Sequence, residues 1–272
     1  MNCNTDTKIH QDDLEKLQTL WKGTTDQLKN GSQAALTHFM GGLRGLLGAV
    51  DCQWCVAYHG QTPSDVYSIQ IFDGWWVIDL HKPFQRDFGA EDHTPFLHEL
   101  FKKHGPDPQI SHSVARAGQL RVDLRQDTFS DEEWETHWRY REFLEPFYGV
   151  KERAHAVYSI DDKCECYFVL DRQEEQGKFT ERERHLAYLA LSGIPQLHRR
   201  LAFVRGLLPP ASKILSPRER ETLSHLLGGR SEKEIAEVME LSVHTVHQYI
   251  TGLYRIFQCR GRAGLLALAL NA

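Results

Sequence analysis

Long apolar runs are missing from this 272-residue chain. No stretch of about 18 consecutive apolar residues occurs, so no segment reads as a membrane-spanning helix. The opening residues Met1-Asn2-Cys3-Asn4-Thr5-Asp6 have no basic segment followed by an apolar core. No secretory leader is therefore expected, and the cytoplasm is the expected location. Cysteine is scarce, with six in all, which in a long chain without a leader argues against a disulfide framework. Two close pairs stand out, Cys52-x-x-Cys55 and Cys164-x-Cys166. Both fall in segments that read as strands, where alternation sends Cys52 and Cys55 to opposite faces, and no histidine spacing accompanies them. The expectation is small core side chains, with a metal or redox role left open. A Gly-rich phosphate loop and a nucleophile elbow are also missing. So is the acidic pair that leads the first strand of a phosphorylated receiver. No catalytic residue, cofactor or metal site is expected.

Charge of one sign is weak overall, at −5. It is unevenly spread. From Ser212 onward eight Lys/Arg stand against six Asp/Glu, a net of +2, and the rest carries 24 against 31, a net of −7. An acidic body with a slightly basic end fits a regulator better than a histone-like binder.

What is present is strongest at the C-terminal end. Ser216-Pro217-Arg218-Glu219 and Ser231-Glu232-Lys233-Glu234 are capping boxes, the first with Pro at the opening helical position. Ser242 is a third N-cap. Behind the caps run apolar positions at helical spacing: Leu223, Leu226 and Leu227, then Ile235, Ala236 and Met239, then Val243, Val246, Ile250, Leu253 and Phe257. Gly228-Gly229 closes the first helix. Only a tight turn fits between Met239 and Ser242, so the second and third helices form a helix-turn-helix. Opposite the seam of the third helix lie His244, Thr245, His247, Gln248, Thr251 and Arg255, donors suited to base edges and phosphates. Ser242 opens the helix N-terminus, which favours phosphate. A solvated face of a small bundle is the plainer reading of the same residues.

The segment resembles the LuxR/GerE-type helix-turn-helix. The resemblance rests on Leu215-Ser216-Pro217-Arg218-Glu219-Arg220-Glu221, Lys233-Glu234-Ile235-Ala236, Leu241-Ser242, Thr245-Val246, Tyr254-Arg255 and Arg262-Ala263. It implies double-stranded DNA as partner, with Lys233, Ser242, His244, Thr245, His247, Gln248, Thr251 and Arg255 as contacts. The sequence departs from the family at His247, where Lys or Arg is usual. It departs also at Tyr249 (His), Ile256 (Lys) and Gln258-Cys259 (Gly-Val).

Upstream, Ile9 to Leu36 reads as a polar helix with a narrow stripe at Leu14, Leu17, Leu20 and Trp21, packed on the body or on a partner chain. Residues 34–47 read as a second helix. Short aromatic and β-branched strands are expected at Trp54–Tyr58, Val66–Ile71 and Trp75–Leu80, and a hairpin at Ala154–Ile160 and Cys164–Asp171 around Asp161-Asp162-Lys163. Phe84 to Gln119 reads as loop with one helix near Phe96 to His104. Ser130 caps a helix through Trp134, Trp138, Tyr140 and Phe143. Thr180 caps a long helix to Leu201, broken near Pro195.

This order of elements, with Phe168-Val169-Leu170-Asp171-Arg172 and Phe179-Thr180-Glu181-Arg182-Glu183-Arg184, resembles a GAF domain, a relative of PAS domains. The resemblance implies a sensory or dimerising sheet with helices on one side and a ligand on the other. The fold class expected is α+β, a GAF/PAS-like antiparallel sheet with helices followed by a small all-α, four-helix LuxR-type domain. The boundaries expected are an N-terminal helical extension at 1–32, the GAF-like domain at 33–203, a linker at 204–213 and the helix-turn-helix domain at 214–272. Trp54, Tyr58, Tyr67, Trp76 and Trp134 are candidate ligand contacts, with an aromatic core as the competing reading. Trp54-x-x-x-Tyr58 resembles the aromatic pair of acyl-homoserine-lactone sensors, without the Asp-Pro that follows there. Scattered histidines, His155 among them, read as solvated or structural. Apolar side chains at Leu186, Leu189, Leu191, Ile194 and Leu197 exceed what one stripe needs, so a homodimer through that helix is expected on an inverted repeat. The reading is a DNA-binding transcriptional regulator and not an enzyme. The alternative is a protein-interaction module whose weakened helix-turn-helix does not bind DNA.

Overall fold

Alternation along the strands organises the N-terminal part of the chain. The computed structural model describes residues 7–61, 69–72, 74–84 and 93–271, which form two compact units. One is built from residues 7–23, 37–60 and 69–193, the other from 24–36 and 194–271. The first unit holds a six-stranded sheet in the order β2-β3-β1-β6-β5-β4. Its strands are β1 Asp51–His59, β2 Ile69–Phe72, β3 Trp75–His81, β4 Arg121–Leu124, β5 Glu152–Ser159 and β6 Cys164–Arg172. Every pairing is antiparallel.

Register places Cys52, Trp54 and Val56 opposite Leu170, Phe168 and Cys166, so these six share a face, joined by Ala154, Ala156, Val122 and Leu124. Helices α1 (Gln11–Gln27), α2 (Ser32–Leu46) and α7 (Glu181–Ser192) supply the apolar side chains for this side. Phe39 meets Phe168 edge to face, with ring centres 5.3 Å apart. The N-terminal helix packs on the body: Leu17 and Leu20 are buried, and the Trp21 indole donates to Ala190 O at 3.0 Å. A Cβ on Gly193 would meet the Trp21 ring, so glycine is what permits that approach.

The opposite face is covered as well, by α3 (Thr94–His104), α4 (Pro108–Val114), α5 (Asp131–Thr136), a π-helical turn at Arg139–Leu144 and α6 (Glu145–Tyr148). Helices on one side only was the expectation. Helix α4, expected as loop, accounts for part of the difference; strand β4 falls in a stretch to which the sequence assigns no element. Segment 62–68, which holds the first half of one expected strand and Tyr67, lies outside the described residues; the second half lies in β2.

In the second unit, helix α8 (Pro195–Phe203) follows the expected break at Pro195. It is followed by α9 (Pro217–Leu227), α10 (Glu232–Met239), α11 (Val243–Ile256) and α12 (Gly261–Asn271). The stretch expected as a linker is packed. Val204, Arg205, Leu207 and Leu208 are buried, Leu215 N–H donates to Arg205 O at 2.9 Å, and Ser212 N–H to Ile256 O at 3.0 Å. Phe203 faces Phe257 with ring centres 4.6 Å apart. Of the apolar residues on which a helix-mediated homodimer was argued, Leu186, Leu191, Ile194 and Leu197 are buried within one chain. Leu189, the fifth of them, is partly exposed.

Candidate nucleic-acid interface and ligand cavity

Local hydrogen bonding sets the geometry of the C-terminal helices. At Ser216 and Ser231 the cap works in both directions: each serine accepts from the third helical N–H, and Glu219 or Glu234 accepts in return. Helix α10 ends at Glu240 in the left-handed region, φ 55°, and Leu241 N–H donates back to Ala236 O at 3.0 Å. That turn lets α11 leave at a sharp angle. Ser242 Oγ accepts from Thr245 N–H at 3.0 Å, and the first turn of α11 has further N–H groups with no intrahelical partner.

Helix α11 buries Val246, Ile250, Leu253 and Ile256, with Phe257 behind it. Val243, expected on this seam, is instead half exposed at 48%, because the first helical position lies beyond the neighbouring helices. On the other side Ser242, His244, His247, Gln248 and Arg255 are exposed and Thr245 and Thr251 are partly so; Lys233 is exposed on α10. The structure thus brings the eight residues singled out from the sequence to the open side of the helix-turn-helix. Gln248 Nε2 stands 3.1 Å from His244 Nε2. His247 Nδ1 stands 3.2 Å from Glu232 Oε2, so the residue at the usual cation position faces a carboxylate. Arg262 donates to Leu226 O and Arg230 O, tying α12 to the end of α9.

The sheet unit contains a cavity of about 150 Å³ between the sheet and the α3–α6 layer. Its floor is Gln53 and Cys55 from β1, Arg153 and His155 from β5, and Tyr167 and Val169 from β6. Its roof includes Leu97, Phe101, Ile110, Val114, Arg139 and Phe143. The floor is the charged face of the sheet. Arg153 makes a two-pronged pair with Asp171 at 2.7 and 2.8 Å. Arg121 holds Glu165 in the same way at 2.8 Å for each prong and donates to Tyr167 Oη at 2.9 Å. Asp123 is paired with Arg116. His155 is buried, and burial, then the Arg153, Arg139 and Arg121 cations, hold its imidazole well below the ordinary value. It is therefore neutral near pH 7, not solvated.

The aromatic ligand candidates sit elsewhere. Trp54 is fully buried on the apolar face, with Tyr58 and Trp76 paired on the same side. Trp134 belongs to the cluster of Phe129, Phe143 and Leu144 and donates its indole N–H to Lys151 O at 2.8 Å. Tyr67 lies outside the described residues. Cys52 and Cys55 are on opposite faces, the first buried in the core and the second in the cavity wall. Sequence reasoning missed the cavity residues. A signal exists for them: polar groups alternate in Arg153-x-His155 on β5 and in Glu165-x-Tyr167 on β6, with Asp171 at the end of the same face.

Residues 213–269 match the GerE family, bacterial regulatory proteins of the luxR family. Comparison with curated proteins gives no match. Among solved structures, the chain is similar to SdiA from Escherichia coli at 13% identity and a TM-score of 0.41, covering 92% of this chain and 95% of that one. It is similar to CepR2 from Burkholderia cenocepacia, an N-acylhomoserine lactone dependent LuxR family factor, at 14% identity and a TM-score of 0.46. That match covers 69% of this chain and 99% of the other. It is also similar to the VqsR LBD domain from Pseudomonas aeruginosa, at 11% identity and a TM-score of 0.37, covering 68% and 99%.

Proposed function

We propose that this chain is a DNA-binding transcriptional regulator, in which a GAF-like sheet unit serves as sensor and the LuxR-type helical domain as reader. The observation that carries the reading is the face of α11, where Ser242, His244, Thr245, His247, Gln248, Thr251 and Arg255 stand together on a helix-turn-helix of that family. The first turn of α11 suits a phosphate and Gln248 suits an adenine edge. Among the described residues no helix is long and apolar enough to cross a membrane, in keeping with action on DNA in the cytoplasm. A reader with a net charge of +2 and one recognition helix covers few base pairs, so the reading includes two copies on an inverted repeat.

Selection of binding sites from random duplexes by the full chain tests this. Enriched sites are expected to be inverted repeats with half-sites about one helical turn apart. Gln248→Ala is expected to relax preference at one position per half-site by about 1–3 kcal/mol. A site profile that Gln248→Ala leaves unchanged would count against the assignment of Gln248. The second reading, an interaction module that does not bind DNA, draws on His247 facing Glu232 where the family places a cation. Failure of the chain to be retained on duplex DNA even at low salt would favour it.

A further inference from the structure

The cations on the charged face of the sheet are committed, whereas one cation in the cavity roof is not. Arg153 is held by Asp171, Arg121 by Glu165 and Arg125 by Glu152, each by hydrogen bonds of 3.1 Å or less. Arg139 lines the cavity, is 9% exposed, and its Nε and Nη1 have no hydrogen-bond partner among the described residues. One carboxylate oxygen, Asp107 Oδ2, stands 3.9 Å from Nη1, beyond hydrogen-bond reach. The other oxygen of that carboxylate caps α4, accepting from Ile110 N–H at 2.8 Å.

What holds the guanidinium is aromatic. It lies over the rings of Phe101 and Phe143, 5.3 and 5.4 Å from their centres. It opens the π-helical turn, a widened geometry that recurs at binding sites. A buried cation lacking its hydrogen bonds is strongly unfavourable unless a counter-charge arrives. Burial, and then the neighbouring Arg153, lower the Arg139 pKa only to about 10, so it is charged at neutral pH. A second wall group is also unfilled: His155 Nδ1 has no hydrogen-bond partner among the described residues. Leu97, Ile110, Val114 and Val169 make the apolar part of the wall, and Gln53, Lys82, Ser113, Tyr148, Arg153 and Tyr167 also line it. A volume of about 150 Å³ is the size of cavity that holds a single aromatic ring.

We infer that this cavity binds a small organic anion, a carboxylate carried on one apolar ring or a short branched chain, with Arg139 as its counter-charge. The guanidinium offers the paired N–H groups that a carboxylate accepts, Phe101 and Phe143 hold its plane in place, and His155 supplies one more polar contact. The apolar walls take the body of the ligand. The inference rests on the reading of the sheet unit as a ligand-binding sensor and adds the chemical class of what it senses.

Titration calorimetry on the full-length protein with benzoate and with benzamide, which has the same shape without the charge, tests it. Benzoate is expected to bind at least tenfold more tightly than benzamide. Arg139→Met and Arg139→Gln are each expected to abolish that preference while leaving the circular dichroism spectrum unchanged, since Asp107, 3.9 Å away, keeps its own cap hydrogen bond from Ile110 N–H. The comparison of acid and amide on the unaltered protein decides the matter even if one variant fails to fold. Equal binding of benzoate and benzamide would overturn the anion while leaving the sensor reading in place. Benzoate preference that survives both substitutions would overturn the role of Arg139. Binding of neither probe at millimolar concentration would overturn the inference and the sensor reading together.

Discussion

On the α2–α7 side of the sheet, Cys52, Trp54, Val56, Cys166, Phe168 and Leu170 are buried against apolar helices. On the α4 side the alternate residues are Asp51, Gln53 and Cys55 on β1 and Glu165, Tyr167, Val169 and Asp171 on β6, and Arg121, Asp123, Arg153 and His155 join from the next strands. The strands are the same and their burial is nearly equal, yet the two faces are stabilised by different means. The apolar face is stabilised by removal of hydrocarbon from water, which is non-directional and tolerates exchange of similar shapes. The charged face is tolerable only because almost every charge has a directed partner, and its worth lies in those pairings rather than in contact area. Arg139, in the cavity roof opposite, is the exception that turns this face into a site.

Breaking one charged pair is expected to have the largest effect. Arg121→Met keeps roughly the volume but strands Glu165 beneath α4, and should cost about 3–5 kcal/mol in urea unfolding. Adding Glu165→Leu to that variant should recover most of the loss, since neither charge is then left alone. A single variant that unfolds at the same urea concentration as the parent would show that the pair is not formed. On the apolar face the same contrast runs the other way. Leu170→Ala should cost about 2–5 kcal/mol, whereas the similar-sized Leu170→Met should cost under about 1.5. If Leu170→Met proved as damaging as Arg121→Met, the distinction between the faces would collapse.

The smallest effect concerns pH. Because the His155 pKa lies well below the ordinary value of 6.5 in the fold, the unfolded chain takes up a proton first as pH falls. The stability that follows from this group is present above about pH 6.5 and drains away below it, at up to ~1.4 kcal/mol per pH unit. His155→Gln should flatten the fall in unfolding free energy between pH 6.5 and 5. Parallel curves for the two proteins would mean that His155 is not held neutral.

Legibility divides along the same line. Capping boxes at Ser130, Thr180, Ser216 and Ser231 were readable because donor and acceptor lie three residues apart. Strands β1, β3, β5 and β6 were readable from aromatic and β-branched runs, and α11 from an apolar stripe at helical spacing. Strand β4 was not. Arg121-Val122-Asp123-Leu124 is too short and too charged to assign from sequence, and as a buried strand it depends on Glu165, 44 positions away, which receives Arg121. The stretch at 204–213 reads as a linker from Gly206, Pro209-Pro210 and Ser212, whereas Val204, Leu207 and Leu208 within it are buried.

For this protein, then, the chain alone determined whatever depends on neighbours a few residues apart: where helices start and stop, which segments extend, and which face of α11 is polar. The match of residues 213–269 to the GerE family rests on the sequence as well. The tertiary structure decided which polar residues enter the interior, because burial of a charge depends on a partner delivered from a distant strand. It therefore also decided where the cavity lies. Arg139, in the run Trp138-Arg139-Tyr140, is an ordinary cation in sequence. The fold places it over two aromatic rings, removes it from water and supplies no hydrogen-bond partner among the described residues for its Nε and Nη1.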